Sequence, residues 1–508
     1  MAPSIGPELQ RNVEAIQQEL GGAMDLIVRP FTTGQGGGRP ATLICFDGLA
    51  NGQEVSNLME EATRLSSPPY DPPTVSADPL AALKETLVRS PEAKITSDLT
   101  EVVVAILSGQ TALLMEGSPQ ALLVDTRYNP ARDPEEPQTE TEVRGPRDGF
   151  VENLITNLTL IRRRIRDPKL RFEALQVGTR TRTDIAVGYI KDLADPGVVD
   201  EVRRRIQSVV IDGILESGEL EELIQDSPLS PFSTLHTTER PDRVAASLLA
   251  GQVVILTDNT PFVLIAPMVF WHLLHAPGDY YNNFMVGTTY RFLRLAAVVV
   301  ALILPSLYVI LTTFHHEMIP TPLALSVAGG REGTPLPTLM EVLLMEVMFE
   351  ILQEAGLRLP RAVGQTVSIV GALVIGEAAV QAGLVAPATV IVTASAGITS
   401  FAIPVYSASQ ALRILRFPLL LLSGVLGVFG FISGIAFLAM HLCSLRSFGA
   451  PYLAPLMPLQ AKDLRDSLWR SPFWLLDHRQ RFSREKRSRR QGPGQMPKPT
   501  GGQQGGGP

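Results

Sequence analysis

The chain has 508 residues, of which 45% are apolar and 19% are charged, and its formal net charge is −7. This length predicts two or three domains, and the only two cysteines, Cys45 and Cys443, argue against a disulfide framework. Residues 1–250 are rich in charge, whereas residues 292–445 are nearly free of it. The first half is therefore predicted to be soluble and the second half to lie in a membrane.

Residues 1–127 are predicted to form a small α/β subdomain. The spacing of apolar residues predicts helices over Pro7–Leu20 and Val55–Leu65. Runs bounded by glycine and proline predict strands over Asp25–Phe31, Thr42–Asp47, Glu101–Leu107, Thr111–Met115 and Ala121–Asp125. The amino terminus lacks the basic start and apolar core of a signal peptide, so this region is expected in the cytoplasm.

Residues 128–147 contain four prolines and many acids, which predicts a linker. Residues 148–288 are predicted to form a second α/β subdomain that ends in a polar approach to the membrane. Its predicted helices are Asp148–Ile165, Pro196–Val210 and Gly218–Gln225, and its predicted strands are Leu170–Val177, Thr183–Ile190, Val253–Leu256 and Phe262–Ile265. The basic run Arg162–Arg166 suits a helix C-terminus and has no aromatic stacking set beside it, so no nucleic-acid partner is predicted.

Residues 289–445 are predicted to form a multi-pass α-helical membrane domain, since a bilayer crossing needs about 20 apolar residues. The apolar stretches are Phe292–Phe314, Val363–Val385, Ala388–Ala408 and Phe417–Leu442. Residues 446–508 are predicted to be a basic, partly disordered cytoplasmic tail, because Arg479–Arg490 is dense in Arg and Lys. The number of crossings stays open. The positive-inside rule favours a cytoplasmic place for the tail and for three arginine pairs, Arg291/Arg294, Arg358/Arg361 and Arg413/Arg416. If Pro337–Gly356 spans, five crossings put the tail outside; if it is re-entrant, the last two pairs fall outside; and Phe262–Leu274, as a further inserted piece, would change the count again.

The segment Pro337–Gly356 carries the main functional prediction. It contains four carboxylates, Glu341, Glu346, Glu350 and Glu354. The last three fall within about 80° of helix surface. Carboxylates at membrane depth face a water-filled path or a partner, and in a ring of subunits they would form a cation-selective lining. The alternative is an amphipathic surface helix, although such helices usually present Lys and Arg to lipid.

Glu377 lies within Val363–Val385 and is a further candidate for the ion pathway, with a structural hydrogen bond as the alternative. A second set of residues is predicted to act in gating or to mark the membrane boundary: Pro305, His315, His316, Glu317, Pro320, Pro322 and Arg331. Pro305 is expected to kink its helix, and Arg331 is expected to pair with the boundary groups. Adjacent His and Glu residues without a further ligand cluster do not predict a metal site. No catalytic constellation or cofactor motif is present, so an enzyme is not predicted.

Six segments of the chain carry a resemblance to a known family: Gly145–Arg164, His236–Arg243, Pro305–Pro322, Gly330–Gly333, Glu346–Glu350 and Gly371–Val380. They resemble the spore germination A-subunit family, the A component of GerA-type germinant receptors. The resemblance implies a two-part cytoplasmic α/β region on a membrane domain in the inner membrane of bacterial spores. It also implies B and C partner subunits, contact with membrane lipids, and a homo-oligomeric ion channel that a small nutrient opens.

Two alternatives to a channel remain open at this point. One is a non-conducting sensor or scaffold subunit of the same complex. The other is a secondary transporter with its substrate near Pro305 and Glu377; an inverted repeat would favour it, and none is found between residues 292–360 and 363–445. The nutrient, the oligomer number, and the choice between a receptor A subunit and its dipicolinate-channel-associated paralogue also stay open.

Overall fold

The fold is taken from a computed structural model, which describes residues 4–33, 38–64, 80, 84, 93–127, 136–137, 140–358, 376–460, 463–479, 489–492 and 496. The chain divides into two compact units. One contains Met1–Gln225, Leu235–Pro267 and Leu476–Pro508, and the other contains Asp226–Thr234 and Met268–Leu475. The first unit is α/β, and the second consists mainly of helices.

The α/β unit begins with a five-stranded antiparallel sheet. Its strands are β1 Leu26–Thr32, β2 Pro40–Phe46, β3 Ala93–Thr96, β4 Thr111–Met115 and β5 Ala121–Val124, in the order β1-β2-β4-β5-β3. Its helices are α1 Leu9–Leu20, α2 Gly52–Arg64 and α3 Leu99–Leu107. Leu43 packs into a core with α2, whereas the next residue, Ile44, packs into a core with α1 and α3. Both faces of the sheet are covered, which is why its central strands read as continuous apolar runs.

A second sheet in the same unit repeats this arrangement. Its strands are β6 Leu170–Val177, β7 Thr183–Ile190, β8 His236–Thr238, β9 Val253–Thr257 and β10 Val263–Ala266, in the order β6-β7-β9-β10-β8. Its helices are α4 Leu154–Arg164, α5 Pro196–Ser208, α6 Ser217–Ile224 and α7 Pro241–Ala250. Numbered within each sheet, the strand order is 1-2-4-5-3 in both. The α/β unit therefore consists of two copies of the same sheet topology, an internal structural repeat.

The repeat is also visible in the sequence once the sheets are superposed by topology. The pair Gly109-Gln110 precedes β4, and the pair Gly251-Gln252 precedes β9, 142 positions later. Pro119 and Pro261 are separated by the same interval. Gly109 and Gly251 have φ values of 90° and 95°, a backbone conformation that favours glycine. They lie at the equivalent connections from α3 to β4 and from α7 to β9.

Most predicted elements of the α/β unit are confirmed to within a few residues, but one is wrong. Glu101–Leu107, predicted as a strand from its valines, is the helix α3. Asp98 caps this helix by accepting a 2.8 Å hydrogen bond from the Thr100 amide. The helix predicted from Asp148 begins later, at Leu154, and β3, β8 and α7 were not predicted.

A buried ion pair joins the two sheet subdomains. Arg162 of α4 donates to both carboxylate oxygens of Asp25, which precedes β1, with an Nη2–Oδ1 distance of 2.8 Å. The Arg162 and Asp25 side chains are 2% and 1% exposed. The guanidinium also lies over the rings of Phe46 and Phe172, at 4.0 and 5.1 Å from their centroids. One cation therefore contacts both subdomains.

The helical unit follows the α/β unit in the chain. Its helices are α8 Gly278–Tyr281, α9 Phe284–Thr313, α10 Thr321–Arg331, α11 Thr338–Arg358, α12 Pro387–Ser400 and α13 Tyr406–Ser444, followed by a short pair of strands, β11 Arg446–Ser447 and β12 Ala450–Pro451. By length and composition, α9 and α13 are apolar enough to cross a membrane, and α12 is a shorter apolar helix. Residues 363–375 of the predicted stretch Val363–Val385 lie outside the described residues.

Helix α13 is a helical hairpin rather than a straight 39-residue rod. Its chain reverses at Gly427, whose φ of 59° and ψ of −140° are not helical. A Cβ on Gly434 would lie 2.8 Å from Leu419 Cδ1, whereas residues 15 apart in a straight helix are separated by about 22 Å. Residues 406–426 therefore form a first arm and residues 428–444 an antiparallel second arm.

The two ends of this hairpin define two ends of the helical unit. At the open end, Val405 and Leu445 pack in one apolar cluster with Met268 and Tyr452. At the tip end, a Cβ on Gly427 would lie 3.2 Å from the ring of Phe314, which follows α9. Helix α9 therefore ends at the tip.

The directions of α11 and α12 follow from their contacts with the first arm. Along α11 these are Leu339 with Gly424, Glu346 with Arg416, and Glu350 with Arg413. This order makes α11 antiparallel to the first arm, running from the tip towards the open end. Helix α12 runs the same way, because Thr389 contacts Glu341 near the tip and the Ser400 carbonyl accepts from Ser409 near the open end.

A charged cluster joins the start of α9 to the segment that follows the hairpin. Arg294 contacts Asp279 at 2.7 Å, and Arg291 contacts Asp466 at 3.1 Å. The Tyr280 hydroxyl donates to Asp466 at 3.0 Å. Burial and the Asp466 carboxylate raise the pKa of Tyr280 above its usual range. These contacts therefore hold the segment around the start of α9 against the segment that follows α13.

Candidate functional site

The site is built on α11, the helix that carries the predicted acidic stripe. The sequence Pro337-Thr338 starts this helix, and its carboxylates point to three different surroundings. Glu341 is fully buried near the tip end, and Glu346 and Glu350 face the first arm of α13. Glu354 lies on the exposed surface.

Glu341 joins three segments of the chain. One of its carboxylate oxygens accepts from Thr334 at 3.2 Å and lies 3.5 Å from the Arg331 guanidinium. The other accepts from the Ala386 amide at 3.1 Å and from the Thr389 hydroxyl at 3.0 Å. Its carboxylate therefore ties α10 and the start of α12 to α11.

Glu346 and Glu350 form ion pairs with two arginines of the first arm. Arg416 lies 2.6 Å from Glu346, and both side chains are 1% exposed. Arg413 lies 3.4 Å from Glu350; the arginine is 9% exposed and the glutamate 29%. The sequence predicts Arg413 and Arg416 only as cytoplasmic charges under the positive-inside rule, and their pairing with the carboxylates of α11 was not predicted. Their spacing of three residues, against four between the glutamates, is the signal that could have paired them.

Several polar atoms in this cluster have no hydrogen-bond partner among the described residues. They are Oε1 of Glu346, Oε1 of Glu350, Oε1 of Gln353, Nε of Arg413 and Nε of Arg416. Buried polar atoms are normally paired with protein or with ordered water. The interface between α11 and the first arm therefore contains buried polar atoms that the described residues leave unpaired.

Glu377 is separate from the α11 carboxylates in its described contacts. It is exposed and accepts a 3.0 Å hydrogen bond from Gln381, one turn along the helical residues 376–381. Of the five predicted pathway carboxylates, the structure brings together only Glu346 and Glu350 in one described polar cluster.

The predicted gating and boundary residues lie at and near the tip end. Helix α9 continues through Pro305, which is buried, and the non-helical residue is instead Gly427 of α13. His315, His316 and Glu317 form a turn that ends α9, with a 3₁₀ helix over His316–Met318. Pro320 and Pro322 then start α10. The expected pairing of Arg331 with the boundary groups is replaced by contacts with Thr338 and Glu341.

Metal ligation finds no support in the described part of the chain. The residues that the structure places there include no group of three or more His, Cys, Asp or Glu side chains arranged to hold a metal ion. The Arg331–Glu341 and Arg416–Glu346 contacts instead make the carboxylates of α11 partners for arginine.

The α/β unit contains a separate cavity of about 440 Å³ beside the end of α1. Arg171, Glu173, Tyr189 and Lys191 are among its lining residues. Arg171 donates to the carbonyls of Glu19 and Leu20, and Glu173 is held by Arg203 and Tyr189. The charged groups of Arg171 and Glu173 are therefore already engaged in contacts within the α/β unit.

Taken together, the fold and the site define a protein with a duplicated α/β region and a helical unit that has charged pairs in its interior and two helices of membrane-crossing length. The family model for "Bacillus/Clostridium GerA spore germination protein" matches residues 14–482. The chain therefore belongs to the GerA family of spore germination proteins.

Known relatives match nearly the whole chain. Spore germination protein KA of Bacillus subtilis (strain 168) is 40% identical over 98% of this chain and 90% of its own length. Spore germination protein GerLA of Bacillus cereus is 38% identical over 95% of this chain and 97% of its own length. A crystal structure of the N-terminal domain of the A subunit of the Bacillus megaterium spore germinant receptor GerK3 is 30% identical, with a TM-score of 0.41 over 53% of this chain and 98% of that chain.

Proposed function

We propose that the chain is a multi-pass membrane subunit of a spore germinant receptor complex in the spore inner membrane. It assembles with B and C subunits and with copies of itself, contacts membrane lipids, and forms a cation channel that a small nutrient opens. Its α/β region and its basic tail lie in the cytoplasm. Family membership and the contacts of the helical unit support this proposal.

The helix directions support a topology with both ends of the chain on one side of the membrane. Helices α9, α11, α12 and the two arms of α13 each run between the open end and the tip end. The chain enters the helical unit through α9, which ends at the tip, and leaves it through the second arm of α13, which runs from the tip to the open end. Entry and exit at the open end require an even number of crossings, which returns the basic tail to the side of the α/β region.

This topology is also compatible with the positions of Arg413 and Arg416. Arg413 and Arg416 are buried and paired with carboxylates. They therefore do not count as loop charges in the positive-inside rule, which concerns residues outside the spans. The dense basic cluster of the tail then agrees with an even number of crossings.

The observation that carries the ion pathway is the stripe of carboxylates along α11. Glu350 is 29% exposed and Glu354 lies on the surface, so this part of the stripe is available to a path shared between subunits. Carboxylates repeated around a ring attract cations, since low-dielectric walls focus the field. Glu346 adds a buried charge deeper along the same face, whereas Glu341 serves mainly to hold α10 and α12.

Potassium efflux from germinating spores tests this function. We expect Glu350→Gln, which keeps size and hydrogen bonding, to slow nutrient-triggered efflux while the full-length protein still accumulates. Glu350→Lys is expected to slow it further through repulsion. Glu332→Gln is the matched control, because Glu332 is an exposed acid between α10 and α11. Normal efflux from both Glu350 variants at normal protein level would leave the non-conducting scaffold as the better function.

A further inference from the structure

Two ion pairs connect α11 to the first arm of α13 at consecutive positions. Arg416 contacts Glu346 at 2.6 Å, and Arg413 contacts Glu350 at 3.4 Å. From Glu346 to Glu350 the chain rises about 6 Å along α11, and from Arg416 to Arg413 it descends about 4.5 Å along the first arm. Each carboxylate therefore faces its own arginine, and the two charges of this part of the stripe are neutralised.

These pairs differ from the buried pair that joins the sheet subdomains. Arg162 engages both oxygens of Asp25. Glu346 and Glu350, by contrast, are each engaged by arginine through one oxygen, and their second oxygens have no partner among the described residues. The Nε atoms of Arg413 and Arg416 are also without a described partner. An arginine that binds only one oxygen of a carboxylate leaves the other oxygen available, so another cation can replace the arginine there.

Arg413 and Arg416 both lie on the first arm of α13, which ends at a residue with a non-helical backbone conformation. The first arm leads directly to Gly427, where the chain reverses with φ of 59° and ψ of −140°. The adjoining ring of Phe314 belongs to the end of α9. A shift of the first arm relative to α11 would separate both pairs together, because both arginines lie on that arm.

We propose that Arg413 and Arg416 keep the channel closed by neutralising Glu350 and Glu346, and that opening withdraws the first arm and exposes these carboxylates to cations. This inference rests on the proposed function of α11 as the lining of a cation path. In the resting protein, the arginine charges repel entering cations and cancel the attraction of the carboxylates. In the open protein, potassium or another monovalent cation takes the place of the arginines.

The test measures potassium release from dormant spores without nutrient, at matched levels of full-length protein. Arg413→Gln is the first variant, because the Arg413–Glu350 pair is partly exposed and its loss leaves Arg416 in place. We expect a severalfold increase in basal release. The double variant R413Q/E350Q is expected to return basal release to the original level, since the exposed carboxylate is also gone. Arg446→Gln, an exposed arginine beyond the hairpin, is the matched control.

The outcomes separate this proposal from the function on which it rests. Basal release that stays at the original level in R413Q overturns the role of the arginines, even where Glu350→Gln slows nutrient-triggered efflux and so upholds the cation path. Equal release from R413Q and R413Q/E350Q also overturns it, because the leak would not depend on the carboxylate. Should R413Q fail to accumulate, the exchanged pair E350R/R413E decides: low basal release supports the proposal, and a leak or absent protein contradicts it.

Discussion

Removing the Arg162 charge should destabilise the α/β region far more than removing an exposed charge. Arg162→Met preserves much of the side-chain length but leaves Asp25 buried without its counter-charge. Breaking one side of a buried pair costs about 3–5 kcal/mol. The loss of the contacts with the rings of Phe46 and Phe172 is part of this cost, since a cation over a ring contributes about 0.5–2 kcal/mol.

The assay is denaturant and thermal unfolding of a fragment of residues 1–267, which contains both complete sheets. For a domain of this size, a loss of 3–5 kcal/mol lowers the melting temperature by about 6–20 °C. The double variant R162M/D25L should recover much of the loss, because it leaves no unpaired buried charge.

Lys169→Met provides the control, because Lys169 pairs with Asp192 at 2.9 Å while 43% exposed. Such a surface pair contributes about 0–1 kcal/mol. An R162M fragment that unfolds at the same denaturant concentration as the K169M fragment would refute the reasoning, as would a double variant that is as unstable as the sum of its parts.

Three further predictions concern the hairpin, an acid and a thiol. Gly427→Ala should lower the amount and the melting temperature of the full-length protein in detergent, because the Gly427 φ of 59° and ψ of −140° suit only glycine. Gly329→Ala is the control and should change neither, because a Cβ there meets no neighbouring atom. Although burial opposes its ionisation, hydrogen bonds from Ser217, Gly218 and Thr260 lower the pKa of Glu216. The stabilisation by the Glu216 carboxylate is therefore present at neutral pH and lost as the pH falls. In unfolding measurements on the 1–267 fragment, Glu216→Gln should lower the free energy of unfolding more at pH 7 than at pH 4, and an equal loss at both would contradict this. Burial raises the pKa of Cys45 to about 11, so its thiol in the folded fragment should react with a maleimide only after denaturant is added; rapid labelling without denaturant would contradict it.

Local patterns were sufficient to predict most of the α/β region. Thr42–Asp47 and Thr183–Ile190 were recognised as strands because β-branched and aromatic residues are concentrated there. The same rule failed for Leu99–Leu107, whose run Val102-Val103-Val104 has a strand-like composition. The cap at Asp98 and the burial of Val102 and Ile106, one turn apart, override that composition. Propensity is a weak signal where tertiary packing and a good cap favour the helix.

The internal repeat was missed although its sequence signal is present. Gly109-Gln110 and Gly251-Gln252 stand at equivalent places before central strands, but two identical residues carry little weight in a single chain. Neither β3 nor β8 was predicted, and each is the edge strand that completes its sheet. Without them the common strand order could not be recognised.

The acidic stripe was predicted as a helix face, but its surroundings were not. Helical geometry alone places Glu346, Glu350 and Glu354 together. The arginines that pair with two of them lie 63 and 70 positions further along the chain, and their register depends on the reversal at Gly427. A sequence read one helix at a time cannot supply that register.

In the proposed membrane topology, the chain order of these buried charges constrains how the helical unit enters a bilayer during synthesis. Helix α11, with Glu346 and Glu350, emerges from the ribosome before the arm that carries Arg413 and Arg416. An isolated carboxylate or arginine at the centre of a span costs about 2.5–3.5 kcal/mol on an insertion scale. Helix α11 is therefore poorly suited to stable insertion until the hairpin arrives, and the hairpin brings its arginines in with two apolar arms. Truncated chains that end before Tyr406 should consequently be recognised and degraded by membrane quality control.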